Sequence, residues 1–226
     1  MAETLFTVAT PTIALPARHY EARRPRATLV FAPGAGAGHD HAWIRARSAD
    51  LQAREVSVVT FDFPYQAQGR RAPDKAPVLV AAFRAVVDAV AGRTDGPLLA
   101  GGKSMGGRMA TMLAAETPLP ERLIGVVAMG YPLHPPGKPE QLRVEHLPRI
   151  PVPVLVVQGT RDPFGGPDAI VSEWQRVGAS PTVVTIDNGG HGFEVPKRTG
   201  DQDAVYAGVA DSVVDWLDTL LPVSEQ

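Results

Sequence analysis

Residues 98–110 read LLAGGKSMGGRMA. An apolar run enters four glycines set around one serine and leaves as a helical pattern. Such a stretch must turn sharply between a buried strand and a helix, and only small residues let the backbone do so. Two site chemistries use a turn of this kind. Gly102-Lys103-Ser104 has the ending of a phosphate-binding loop, while Gly102-x-Ser104-x-Gly106 fits the turn that holds up a reactive serine.

The phosphate loop fails on spacing. It needs a glycine five residues before the Gly of Gly-Lys-Ser, and that position is Pro97, which has no N–H to donate. Gly96 lies one residue too early, and the loop would have to form where LLA reads as strand. The serine turn fits its surroundings: a strand at 98–101, Ser104, then a helix from Met105. That helix aims the positive end of its dipole at the serine, which favours a developing oxyanion.

The rest of the chain repeats the same alternation. Apolar runs at 28–31, 56–61, 98–101, 123–129, 152–158 and 182–186 predict strands, most of them apolar throughout as in a parallel sheet covered on both faces. Between them, apolar stripes at helical spacing predict helices near 74–92, 167–178 and 203–221, the last ended by Pro222, with weaker patterns at 40–53 and 105–116. LFTVA and TIAL near the N-terminus predict a short hairpin at one sheet edge. The order gives an α/β fold: a doubly wound, mostly parallel sheet, with 1–226 as a single domain. No linker, internal repeat or low-complexity tract breaks it.

Composition removes several classes. A net charge of -2 gives no reason to expect nucleic acid or an acidic membrane as partner. No apolar run approaches the ~18 residues of a spanning helix, and the N-terminus lacks the pattern of a signal peptide. The absence of cysteine excludes disulfides, thiolate metal sites and a cysteine nucleophile, and fits a cytoplasmic protein. The sequence leaves the oligomeric state open.

A serine hydroxyl needs a general base, and the base needs an orienting carboxylate. The run ending VVQGTRDPFG places Asp162 just after a strand, and TVVTIDNGGHGF places His191 just after the next. The order Ser, Asp, His is that of an α/β-hydrolase triad. Asp187, four residues before His191, is a competing carboxylate and reads as a turn residue. Two N–H donors for an oxyanion are expected from Met105, the residue after the serine, and from Ala35, flanked by Gly34 and Gly36 in the loop after strand 28–31. A dinucleotide reading of that loop fails, because G-x-G-x-x-G from Gly34 would need glycine where His39 stands. His39-Asp40-His41 lacks a third clear ligand, so no metal is expected; Asp40 is expected to cap the following helix and one histidine to line the pocket mouth. Gly34, Gly36, His39 and Lys103 are the expected substrate-contacting residues. Arg70, Arg71, Lys138, Arg143, Lys197 and Arg198 lie in loops that rim the site or stand as solvated charges.

PGAGAG (33–38), FDFPYQAQGRR (61–71), GGKSMGG (101–107), QGTRDPFG (158–165) and GGHGF (189–193) together resemble the α/β-hydrolase superfamily, in particular small lidless members of the dienelactone-hydrolase-like branch. Two departures stand out. Dienelactone hydrolases proper use cysteine where this chain has Ser104, and many members carry His-Gly where it has Pro33-Gly34. The resemblance implies an α/β-hydrolase fold with a minimal lid, since the 130–151 connection is about twenty residues long and rich in proline. It implies an esterase-like serine hydrolase, with no cofactor, that acts on a small ester, thioester or related acyl substrate through an acyl-enzyme. Two alternatives stand beside it: a non-catalytic protein-binding module, distinguished by absence of turnover and labelling, and an acyltransferase using the same triad.

Overall fold

The computed structural model describes residues 2–221. Eight strands form one sheet: β1 (Ala2–Ala9), β2 (Ala14–Glu21), β3 (Ala27–Ala32), β4 (Val56–Phe61), β5 (Leu98–Lys103), β6 (Leu123–Met129), β7 (Val154–Gly159) and β8 (Thr182–Ile186). Their order across the sheet is β1-β2-β4-β3-β5-β6-β7-β8. β1 and β2 are the expected hairpin at one edge, and β2 runs antiparallel to β4. From β4 to β8 every pairing is parallel.

The helices are α1 (Ala42–Gln52), α2 (Pro64–Ala67), α3 (Ala76–Ala91), α4 (Met105–Ala114), α5 (Pro167–Arg176) and α6 (Gln202–Asp218). The pleat sorts the strand side chains into two cores. On one face Val30, Val59, Ala100 and Val126 pack under Phe83 and Val87 of α3, Leu113 of α4 and Trp174 of α5. On the other, Leu29, Val58, Leu99 and Val127 pack under Ile44 of α1 and Val213 and Leu217 of α6. Burial on both sides explains why β3, β4 and β7 are mostly apolar and buried at every position. Each Val, Leu or Phe so buried contributes about 1.5–3 kcal/mol.

Several boundaries differ from the sequence expectation. β2 continues six residues past Leu15, to Glu21, because Ala17 and Tyr20 turn inward while the chain pairs with β1 and β4. β5 runs two residues past Gly101, where Gly102 and Lys103 pair with Ala128 and Met129 of β6. α1 begins at Ala42 with His41 as its cap: His41 Nδ1 accepts from Trp43 N at 3.3 Å, so the cap expected at Asp40 is corrected by one residue. α2 had no counterpart in the sequence reading. Pro222, expected to end the last helix, lies outside the described residues.

The 130–153 connection carries a single 3-10 turn, Leu147–Arg149, and no α-helix. Its Tyr131, Leu133, Val144 and Leu147 are buried in the core. The lid is therefore minimal, and this segment is packed down beside the sheet.

Chain order reverses between β3 and β5. β3 lies between β4, which follows it in sequence on one side, and β5 on the other. The loops leaving these two strands diverge and open a crevice at their carboxyl ends, the usual place for a site in an open α/β sheet.

Candidate active site

Ser104 stands at the tip of that crevice, between β5 and α4. Its backbone takes φ 52° and ψ -114°, a left-handed conformation that costs a non-glycine residue energy. The sheet holds it there, since Ser104 N donates to Met129 O at 2.9 Å. The flanking glycines are required by close approach. A Cβ on Gly102 would lie 2.5 Å from the Ala32 carbonyl oxygen and the Gly106 backbone, and one on Gly106 would drive into the backbone of Ala32. The Gly-x-Ser-x-Gly spacing thus lets α4 start directly against β3.

The other two predicted partners converge on the serine. His191 Nε2 lies 2.8 Å from Ser104 Oγ, and His191 Nδ1 lies 2.8 Å from Asp162 Oδ2. The Asp162 side chain is fully buried, whereas His191 remains 24% exposed. Asp162 is well supplied with donors: Phe164 N reaches Oδ1 at 2.8 Å and Gln158 Nε2 reaches Oδ2 at 3.0 Å. With His191 as a third partner, the carboxylate is fixed in rotation. Asp187 is an exposed turn residue and plays no part in this network.

Gln158 went unrecognised in the sequence reading. At the end of β7 its amide also donates to Gly165 O at 2.6 Å and accepts from Tyr131 N at 2.8 Å. It ties the Asp162 loop to the chain leaving β6. Its signal was a polar residue closing an otherwise apolar, fully buried strand.

The His191 loop is pinned from several sides. Trp43 Nε1 donates to Gly192 O at 3.2 Å, Gln202 Nε2 donates to Phe193 O at 3.0 Å, and Phe193 takes φ 67° with its ring buried. Lys103, next to Ser104, donates from Nζ to the His191 carbonyl oxygen. Its ammonium lies 5.8 Å from the Trp43 ring centre and 5.6 Å from that of Phe193. Burial pulls the Lys103 pKa down from 10.5 to about 8, against the opposing pull of the Asp162 and Glu194 carboxylates. Phe164 packs edge-on to the His191 imidazole, ring centres 4.6 Å apart.

Two cavities meet at Ser104, and both are lined by Ala35 and Phe164. The larger, about 560 Å³, runs past Ala37, His41, Trp43, Lys103 and Glu194. The other, about 330 Å³, runs past Leu79, Met105, Met109, Pro132, Arg108 and Arg143. Of the expected substrate-contacting residues, Gly34 and Lys103 line the larger cavity. Gly36 donates its N–H to Tyr65 Oη at 3.0 Å. His39 is turned away: its N–H and Nδ1 both face Asp62 Oδ1, at 2.7 and 3.0 Å, and His41 takes the place at the cavity wall. Of the six loop cations, Arg143 reaches a cavity; Arg70 is exposed and pairs with Asp74 at 2.7 Å, and Arg71, Lys138, Lys197 and Arg198 are exposed. Arg108, which sequence reasoning passed over, stands one helical turn after Ser104, so the i, i+4 spacing returns it to the same face.

Among the described residues, no group of three or more His, Cys, Asp or Glu is gathered as a metal site, and no helix is long and apolar enough to cross a membrane.

Residues 25–218 match the family model described as an alpha/beta hydrolase domain. Solved structures superpose over nearly the whole chain. A dienelactone hydrolase from Anabaena variabilis is 20% identical, covers 98% of this chain and 99% of its own, and has a TM-score of 0.74. An alpha-beta serine hydrolase homologue from Coxiella burnetii is 15% identical over 96% of this chain and 98% of its own, with a TM-score of 0.75. A serine hydrolase without lid from Xanthomonas campestris is 19% identical over 99% of this chain and 97% of its own, with a TM-score of 0.74. At these identities the likeness is one of fold.

Proposed function

The chain belongs to the alpha/beta hydrolase domain family, and on that premise we propose that it is a serine hydrolase cleaving a small ester, thioester or related acyl substrate through an acyl-enzyme on Ser104. The observation that carries this reading is the unbroken chain Ser104 Oγ, His191 Nε2, His191 Nδ1, Asp162 Oδ2, with both links at 2.8 Å.

The chemistry follows from that chain. When Nδ1–H is donated to Asp162, Nε2 is left as an acceptor for the serine proton. Ser104 Oγ attacks the acyl carbon as its proton passes to Nε2. The carbonyl oxygen becomes an oxyanion, and the imidazolium is stabilised by the Asp162 carboxylate, which does not itself take the proton. The tetrahedral species collapses, the leaving alkoxide or thiolate takes the proton from Nε2, and the acyl group stays on Ser104. Water then gives a proton to Nε2 and attacks; the acid leaves and Ser104 regains its proton.

Met105 N–H, at the first turn of α4, and Ala35 N–H are the proposed oxyanion donors. Each such donor is worth about 3 kcal/mol of barrier. The neighbouring Gly36 N–H is already committed to Tyr65 Oη, which favours Ala35 within that loop. The small size of both cavities and the uncovered site favour a compact substrate over a long lipid chain.

The test is covalent labelling by a fluorophosphonate probe, read by mass spectrometry. Wild-type protein is expected to gain one adduct on Ser104, and Ser104→Ala none. An equal adduct on the folded Ser104→Ala protein would overturn the assignment.

A further inference from the structure

The 330 Å³ cavity beside Ser104 is lined by two arginines that no carboxylate pairs with among the described residues. Arg108 and Arg143 both line it, and among the described residues neither is ion-paired. Arg108 Nε is buried and has no hydrogen-bond partner. Arg143 reaches only the Pro132 and His134 carbonyls, through Nη1 and at a long 3.5 Å. The two charges act on each other: burial and then the charge of Arg108 pull the Arg143 pKa down. An arginine does not deprotonate in response, so the repulsion stays in the fold until an anion relieves it. The one carboxylate on the cavity wall, Asp74, is already neutralised by Arg70 at 2.7 Å. The rest of the wall is largely apolar and includes Met105, Met109 and Phe164.

We infer that this cavity is a carboxylate-binding subsite and that the substrate is a short ester or thioester bearing a carboxylate, held by Arg108 and Arg143 while its acyl carbon meets Ser104. The guanidinium fork matches a carboxylate in a way that a scattered surface charge does not. The apolar residues that share the cavity with the arginines and Ser104 favour a short hydrocarbon spacer between the carboxylate and the scissile bond. The inference rests on Ser104 as nucleophile and adds the chemical class of what it attacks.

Two ester pairs test it by pH-stat: methyl hydrogen glutarate against dimethyl glutarate, and 3-acetoxypropanoate against its methyl ester. These place the anion on the acyl side and on the alcohol side. In at least one pair, kcat/KM is expected to favour the anionic ester by about tenfold or more, the scale of a lost charge-assisted contact. Arg108→Gln and Arg143→Gln are each expected to bring that ratio close to one, chiefly through KM. Arg176→Gln, on the exposed side of α5, leaves the ratio unmoved. Arg108→Lys, which keeps the charge and loses the fork, serves if the glutamine variant fails to fold, and is expected to show an intermediate ratio. Free glutarate is expected to slow fluorophosphonate labelling of wild type and not of Arg143→Gln. A labelled enzyme that prefers neither anionic ester, or whose preference survives both glutamine substitutions, overturns the subsite and leaves the serine mechanism standing. Folded protein with no labelling and no turnover overturns both.

Discussion

Replacing Lys103 with methionine changes stability with a pH dependence whose sign is set by burial. The amine lies beneath the His191 loop with its pKa lowered from 10.5 to about 8. In the unfolded chain it titrates near the ordinary value. Between about pH 8 and 10.5 the unfolded state therefore binds more protons than the folded one, and stability rises with pH across that window. Below about pH 8 the group is protonated in both states and the fold carries the whole penalty, about 3 kcal/mol for a shift of this size. At pH 9.5 less than half of that penalty is left. Methionine fills the space of the stem without the charge. The stability of Lys103→Met relative to wild type is thus expected to fall by about 2 kcal/mol between pH 7 and 9.5. The loss of the bond to the His191 carbonyl adds a cost that does not vary with pH and so cancels in this comparison. Urea denaturation of both proteins across the range, with a common slope, measures it. A difference constant to within about half a kcal/mol would refute the burial of a charged amine at this position. On the proposed mechanism the variant is also expected to turn over more slowly, since Nζ no longer anchors the main chain of His191.

Two further outcomes follow from the site geometry. Asp162→Asn keeps the shape but no longer enforces Nδ1–H on His191, and kcat for a neutral test ester is expected to drop by about 10³–10⁴ with little change in Tm; a drop below about tenfold would remove Asp162 from the mechanism. Gly106→Ala places a methyl group 2.6 Å from the Ala32 carbonyl carbon and 2.7 Å from Pro33 O. It is expected to cost about 3 kcal/mol or more, a fall in Tm of about 6–12 °C by thermal scan, and an unchanged Tm would show that α4 does not sit against β3 as described.

The parts of this protein legible in its sequence are those where one residue's neighbours along the chain decide its state. β3, β4, β6 and β7 are buried on both faces, so their apolar runs could be read directly. Ser104, Asp162 and His191 each follow a strand end, and topology alone brings strand ends to one rim. What escaped depends on contacts remote in sequence. The TIAL run stops at Leu15, yet Pro16 sits opposite Thr7 and its carbonyl accepts from Asp62 N at 2.9 Å. α2 spans four residues, too few for a helical period to show. Gln158 and Arg108 acquire their places from Tyr131 and from the Arg143 segment, which no spacing rule connects to them. The His39 assignment failed for a related reason: three polar residues in a row offer several caps and contacts, and Asp62, twenty-three residues on, decides among them.

The flattened 130–153 segment carries a kinetic consequence. On the proposed mechanism an acyl group on Ser104 would have no α-helical roof over it, so bulk solvent would reach the ester carbonyl as soon as the first product departs. An alcohol or amine acceptor must then outcompete the surrounding water without a pocket that shuts it out. On the proposed mechanism such a layout favours release of the intermediate as free acid, with no gate to open between the two half-reactions.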